Sequence, residues 1–211
     1  MIDNEMKNLF TETYNENKWG MELNESKSGD GSTLIYTEHF RRSLLEILEK
    51  YQINLMFDCS CGDWNWMKEI KDKLSKYIGN DIVEELIIEN NKNFGSENIK
   101  FVCNDMLSEL KKYDDKEFDL ILCRHTLEHL PTSYSLEVIN EIKRTSKYCI
   151  ITSSNGMNEN NEIENMDGVS GRSVNLDYEP YNTILGNPIN RFFDSKGTPT
   201  YIGCFGYLYE F

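Results

Sequence analysis

Along this chain, short apolar runs rich in β-branched and aromatic residues alternate with stretches whose apolar positions recur every three or four residues. The runs at 53–58, 76–80, 99–103, 118–123 and 148–152 read as five strands. The run from Phe118 to Cys123 is almost wholly apolar, so it belongs in the middle of a sheet covered on both faces. Between strands, residues 63–74 carry Trp66, Met67, Ile70 and Leu74 at helical spacing, with Asp63 suited to the start. Residues 82–94, closed by Gly95, and residues 135–146 predict two further helices. Strand and helix in strict alternation predict a parallel sheet joined by crossover helices.

The two ends of the chain read differently. Residues 1–50 form an amino-terminal cap with a polar helix at 3–15, a Gly/Ser loop at 28–32 and an amphipathic helix at 37–51. The loop, just before the helix that feeds strand one, is a candidate cover for a ligand. Residues 51–211 form the main α/β unit. Within it, 153–177 is rich in Asn, Glu, Gly and Ser, and the wider segment 153–188 is expected to act as a substrate loop. Residues 189–193 and 201–211 read as two last strands, separated by Gly197, Thr198 and Pro199 in a hairpin. The expected fold is therefore α/β, a Rossmann-like, doubly wound, mostly parallel seven-stranded sheet with an antiparallel edge strand.

Composition narrows the function. A chain of 211 residues with 39% hydrophobic and 12% aromatic residues can fill one sizeable core. Its first residues are acidic and lead into no apolar stretch, so neither a secretory signal nor a membrane span is expected, and the expected location is cytoplasmic. A formal charge of −14 disfavours nucleic acid as a partner, because phosphates need Lys or Arg. Of the six cysteines, Cys103, Cys123, Cys149 and Cys204 lie in or beside apolar runs as core thiols, and Cys59 and Cys61 lack the spacing of a zinc or redox pair.

The chemistry gathers at three strand ends. After strand one comes Asp58-Cys59-Ser60-Cys61-Gly62-Asp63-Trp64, a turn in which Ser60 and Gly62 let backbone approach a ligand closely. The match to a glycine fingerprint is partial, since Ser60 and Trp64 stand where glycines would. Asp81, about twenty residues past the glycine turn, is placed to accept hydrogen bonds from both hydroxyls of an adenosine ribose. After strand three, Asn104, Asp105 and Met106 offer a polar pair and an apolar side chain for an adenine.

These segments, together with Tyr77-Ile78-Gly79-Asn80-Asp81-Ile82-Val83 and Leu120-Ile121-Leu122-Cys123-Arg124-His125-Thr126-Leu127-Glu128-His129-Leu130, resemble the motifs of class I S-adenosylmethionine-dependent methyltransferases. More narrowly, they resemble a bacterial branch with a CGDxxWM turn, a preceding Gly/Ser segment (Ser28 to Leu34 here) and a late Asn-Leu segment (Asn175-Leu176 here). The resemblance runs from about Trp19 to the carboxyl terminus. It implies S-adenosylmethionine as cofactor, leaving S-adenosylhomocysteine, with Asp58 and Gly62 near the methionine portion, Asp81 on the ribose, and Asp105 with Met106 at the adenine. Asp63 and Trp66 would line the site, and Ser60, Ile82, Asn104 and Cys123 complete the cofactor wall. The implied acceptor is a small molecule, a sugar or nucleotide-linked sugar of bacterial surface polysaccharide synthesis, methylated on oxygen. Two departures lie on the acceptor side: His125-Thr126 replaces an acid-Cys pair, and the loop after strand five is extended.

A hydroxyl acceptor must lose its proton as the new bond forms, and a histidine suits that task. His125, directly after strand four, is the first candidate base and His129 the second. Arg172, Arg191, Tyr178 and Tyr181 fall in or beside the late loop where an acceptor would sit, as groups that could stack on a sugar or clamp a phosphate, and Arg124 is a further substrate-side candidate. Three other readings compete. His125-Thr126-Leu127-Glu128-His129 has the HxxEH spacing of a zinc peptidase, although Pro131 leaves little room for the helix that motif needs. A nicotinamide-dependent oxidoreductase would share Gly62 and Asp81 but would want more glycine. A noncatalytic sensor would bind the cofactor without turnover.

Overall fold

The computed structural model describes residues 2–19, 25–154, 158–164, 166–195 and 203–211. Seven strands, β1 (Leu55–Asp58), β2 (Lys76–Asp81), β3 (Ile99–Cys103), β4 (Phe118–Cys123), β5 (Ser146–Ser154), β6 (Asn190–Ser195) and β7 (Cys204–Glu210), form one sheet. Their order is β3-β2-β1-β4-β5-β7-β6. Strands β1 to β5 pair in parallel, and β7 runs antiparallel to both β5 and β6. The expected mostly parallel, seven-stranded sheet is thus the observed one, with β7 slotted between β5 and the outer strand β6. The hairpin turn anticipated at Gly197, Thr198 and Pro199 lies outside the described residues.

Strand alternation divides the core. Met56, Leu120, Leu122, Ile150 and Leu208 pack on one face of the sheet, and Phe57, Ile121, Cys149, Ile151 and Tyr207 on the other. Helix α2 (Glu38–Lys50) brings Phe40, Leu44 and Ile47 to the first face. Helix α5 (Thr132–Thr145) brings Val138, Ile139 and Ile142 to the second. Both faces of β4 are therefore covered, as its unbroken apolar run requires. Helix α1 (Ile2–Asn15) inserts Met6 into the second core and sets Tyr14 against Val83 and Leu86, beside α3 (Glu84–Phe94).

The segment 63–74 corrects the sequence reading. Its apolar residues are buried as expected, but the backbone is a turn with Gly62 at φ 55° and Trp64 at φ 57°, followed by a 3₁₀ helix at Met67–Lys73. The cause is Trp64, which is fully buried against Tyr77, Phe94 and Phe101. Seating that ring takes a left-handed backbone that no α-helix permits. Four apolar positions cannot separate a period of 3.0 from one of 3.6. Two short helices, α4 (Met106–Leu110) and α6 (Tyr181–Leu185), were not anticipated.

Among the described residues, no helix is long and apolar enough to cross a membrane. Ile121 in β4 is wholly buried. Truncation to alanine is expected to cost about 2–5 kcal/mol, the range for opening a cavity in a packed core, read as a lowered midpoint in urea unfolding with an unchanged slope.

Candidate active site

In an open parallel sheet, the crevice lies outside the carboxyl ends of the strands where their order reverses. Here the reversal falls between β1 and β4, and a cavity of about 1030 Å³ opens there. Asp58, Ser60, Gly62, Asp63 and Trp66 line it from the first strand tip and its turn, Asp81 and Ile82 from the second, and Asn104, Asp105 and Met106 from the third. Arg124, His125 and His129 line it from beyond β4, and Arg172 from the loop after β5. Cys123, Tyr178 and Tyr181 do not. Cys123 turns into the core, Tyr178 stands exposed with its hydroxyl on Asn158, and Tyr181 is fully buried under Arg172.

The wall formed by the tips of β1, β2 and β3 is rich in acceptors. Asp81 accepts backbone N–H bonds from Gly62 (3.0 Å) and Val83 (3.1 Å), yet burial still raises its carboxyl to about 6. Asp58 accepts from the Tyr77 hydroxyl at 2.8 Å, and burial raises it to about 7. Neither carboxylate forms a salt bridge among the described residues. Beside them, Asn80 uses its Nδ2 on the Cys59 carbonyl while its Oδ1 is buried with no hydrogen-bond partner among the described residues. Asp105 caps α4 by accepting from Ser108 N at 2.8 Å and also takes the Tyr134 hydroxyl, while Asn104 Nδ2 donates to Glu109.

Asp63 has a job that the sequence did not show. Its carboxylate accepts from Ser26 Oγ (2.8 Å), Lys27 N (2.8 Å) and Ser28 Oγ (3.2 Å), and so ties the Gly/Ser segment over the cavity. Ser28 in turn bonds the Tyr14 hydroxyl at 2.9 Å. Gly62 must be glycine here for two reasons: its positive φ, and an added Cβ that would collide with Ser28 Oγ. Ser28 to Ser32 lie in the cavity wall.

Beyond β4 lies a network built around Asp194, a residue the sequence reading missed. Asp194 is fully buried at the end of β6. Its Oδ1 accepts from Arg124 Nε (3.2 Å) and Nη2 (2.9 Å), and its Oδ2 meets His125 Nε2 at 2.8 Å. Arg124 also donates to the Gly31 carbonyl and packs on the rings of Phe40 and Trp66. His125, at φ 50°, has its other nitrogen on Glu128 at 2.8 Å. Burial and the neighbouring Arg124 push its pKa down, but the two carboxylates win and hold it at about 9. An imidazolium with both nitrogens occupied cannot take up a proton, so the expectation of His125 as base is not met.

His129 is arranged differently. Its Nδ1 lies 3.1 Å from the Ser170 carbonyl, which can only accept, so Nδ1 carries the proton and the lone pair sits on Nε2. The ring rests 5.4 Å from that of Trp19, and Gly171 leaves room for it. The peptidase spacing from His125 to His129 occupies a turn and a 3₁₀ segment, Leu127–His129, rather than the helix it needs. Among the described residues, no group of three or more His, Cys, Asp or Glu is placed to hold a metal ion.

Comparison with known proteins agrees with this geometry. Residues 57–148 match the family model of a methyltransferase domain. The match runs from β1 into β5 and so covers the strand tips of the cavity floor. No curated protein sequence matches the chain. Among solved structures, the chain is similar to an S-adenosylmethionine-dependent methyltransferase of Leishmania major (10% identity, 98% of this chain and 82% of that one, TM-score 0.74). It is also similar to the 1,6-didemethyltoxoflavin-N1-methyltransferase of Burkholderia thailandensis, solved with S-adenosylhomocysteine (14% identity, 98% and 87%, TM-score 0.68). A third likeness is to the N-methyltransferase NodS of Bradyrhizobium japonicum (15% identity, 81% and 96%, TM-score 0.56). At these identities the structures establish a shared methyltransferase fold, and the domain match supports methyl transfer as its chemistry. S-adenosylmethionine fits the wall described above, because it brings an ammonium, a ribose diol and an adenine amino group to carboxylates whose lone pairs outnumber the donors bonded to them.

The His125 assignment is directly testable. With a folded pKa of about 9 against an ordinary 6.5, its stabilising effect is complete below about pH 6.5 and is lost as the pH rises through 9. Nitrogen-15 NMR should find both ring nitrogens protonated at pH 7.5, and Asp194→Asn should lower the titration midpoint. A neutral His125 at that pH in the parent protein would contradict the network.

Proposed function

We propose that the protein moves the methyl group of S-adenosylmethionine to an oxygen of a small polar acceptor of the sugar class. The observation that carries this reading is the convergence of the tips of β1, β2 and β3 on one cavity, with Gly62, Asp81 and Asp105 in its wall. The bound cofactor supplies an electrophilic methyl group on a sulfonium. Asp81 would accept from the ribose hydroxyls, Asp58 would hold the ammonium, and Ile82 and Met106 would pack on the adenine.

The acidic wall would hold a cationic cofactor in its ground state and lowers no barrier by itself. Rate enhancement must come from alignment and from removal of the acceptor's proton. His129 takes that role, with its Nδ1–H fixed on Ser170 and its Nε2 lone pair available. The sugar class rests on the resemblance to the bacterial branch, and hydroxyl-bearing lining residues such as Ser32, Ser173 and Ser195 support it.

Calorimetric titration should show binding of S-adenosylmethionine and S-adenosylhomocysteine but not NAD; binding of NAD alone would remove the reading. Asp81→Asn should weaken the cofactor roughly tenfold or more, the loss of a charge-assisted hydrogen bond. Because Asp58 and Asp81 are raised to about 7 and about 6, affinity for the cationic cofactor should rise with pH across that range, with protons released on binding. For His129→Gln, turnover should fall about 10²- to 10⁴-fold with cofactor affinity retained. Turnover unchanged by that substitution would remove His129 as the base.

A further inference from the structure

The cavity's charged groups divide sharply. Asp30, Asp58, Asp63, Asp81, Asp105 and Glu128 bring carboxylates to it, and among the described residues no lysine lines it. Its cations are Arg124, Arg172, His125 and, when protonated, His129.

The two arginines and His125 are already engaged by the protein, and among the described residues only His129 keeps a ring nitrogen open. Arg124 is held by Asp194 and the Gly31 carbonyl with its side chain 5% exposed. Arg172 donates to the carbonyls of Leu130 (3.1 Å) and Asn161 (3.1 Å) and to the Tyr181 hydroxyl (2.6 Å), so its fork braces the loop after β5 against α6. His125 is bound at both nitrogens by carboxylates. Arg191, the remaining arginine near that loop, pairs with Asp177 at 2.5 Å and does not line the cavity. The uncharged side differs: Tyr36, Ser32, Ser173 and Ser195 bring hydroxyl-bearing side chains to the cavity.

A phosphate entering this space would lose its water, face the carboxylates and meet no available guanidinium or ammonium. The field of the whole chain, at −14, opposes it as well. We propose that the acceptor carries no phosphate or other anionic group, and that the cleft takes a free or glycosidically linked hydroxyl compound and rejects nucleotide-linked and phosphorylated ones. The inference rests on the methyltransferase reading and narrows it, since a nucleotide-linked sugar would need the arginines that the structure has committed elsewhere.

The test titrates the protein, first with S-adenosylhomocysteine and then, once loaded, with pyrophosphate and with UDP. Failure of the first titration would count against the methyltransferase reading alone, and the anion titrations can be run on the free protein all the same. The expected result is no binding of either anion up to about 10 mM. Asp194→Asn, which releases donors on Arg124 and His125, should bind both at least about tenfold more tightly. Should Asp194→Asn not fold, Glu128→Ala, which removes the acceptor from His125 Nδ1, gives the same comparison. Binding of UDP or pyrophosphate by the parent protein below about 1 mM, with NMR shifts at Arg172 or Ser195, would overturn the proposal. So would variants that gain no affinity, because engagement of the cations would then not be what excludes anions.

Discussion

Two carboxylates, Asp58 and Asp81, sit buried at the tips of adjacent strands with no bonded lysine or arginine among the described residues. Burying an anion without a paired cation is costly unless hydrogen bonds replace its water. The fold supplies part of that replacement: two backbone N–H groups for Asp81 and a tyrosine hydroxyl for Asp58. The remainder falls to whatever occupies the cavity, which is why a cationic ligand rich in hydroxyl and amino donors belongs there. The same shortage of donors leaves Asn80 Oδ1 unpartnered in the same wall.

The rest of the site is organised so that this acidic wall is closed and kept in register. Asp63 clamps the segment at Ser26 to Ser28 across the mouth of the cavity, and Arg124 holds the same segment a few residues on through the Gly31 carbonyl. Asp194 fixes Arg124 and His125 together from β6, so the outermost strand of the sheet steadies groups at the tip of the central one. The family match begins at residue 57, and segments before it and after residue 148 complete the cavity wall.

Most of the sheet was legible in the sequence because five apolar runs have few other uses, and the core of every one of them lies in a strand. Boundaries shifted by a few residues, most at β5, which runs two residues further at each end than its apolar stretch. The turn after β1 was misread as α-helical because burying Trp64 overrode the local period. Helices α4 and α6 span barely more than one turn, too short for a period to show. In the site, the strand-tip residues follow from their position after apolar runs. Asp194 does not, since nothing in the sequence says which strand β6 will lie beside or how far its tip reaches. The sequence puts His125 ahead of His129 for the same reason, since the hold of Asp194 and Glu128 on His125 and the contact of His129 with Ser170 exist only once the chain is folded.

The central claim is that three strand tips form one adenosyl-shaped hollow, and a crystal structure of the protein grown with S-adenosylhomocysteine tests it most directly. The account predicts the ribose hydroxyls on the Asp81 carboxylate and the adenine between Ile82 and Met106. A nucleoside seated elsewhere, or a hollow closed by the protein's own side chains in that crystal, would contradict it.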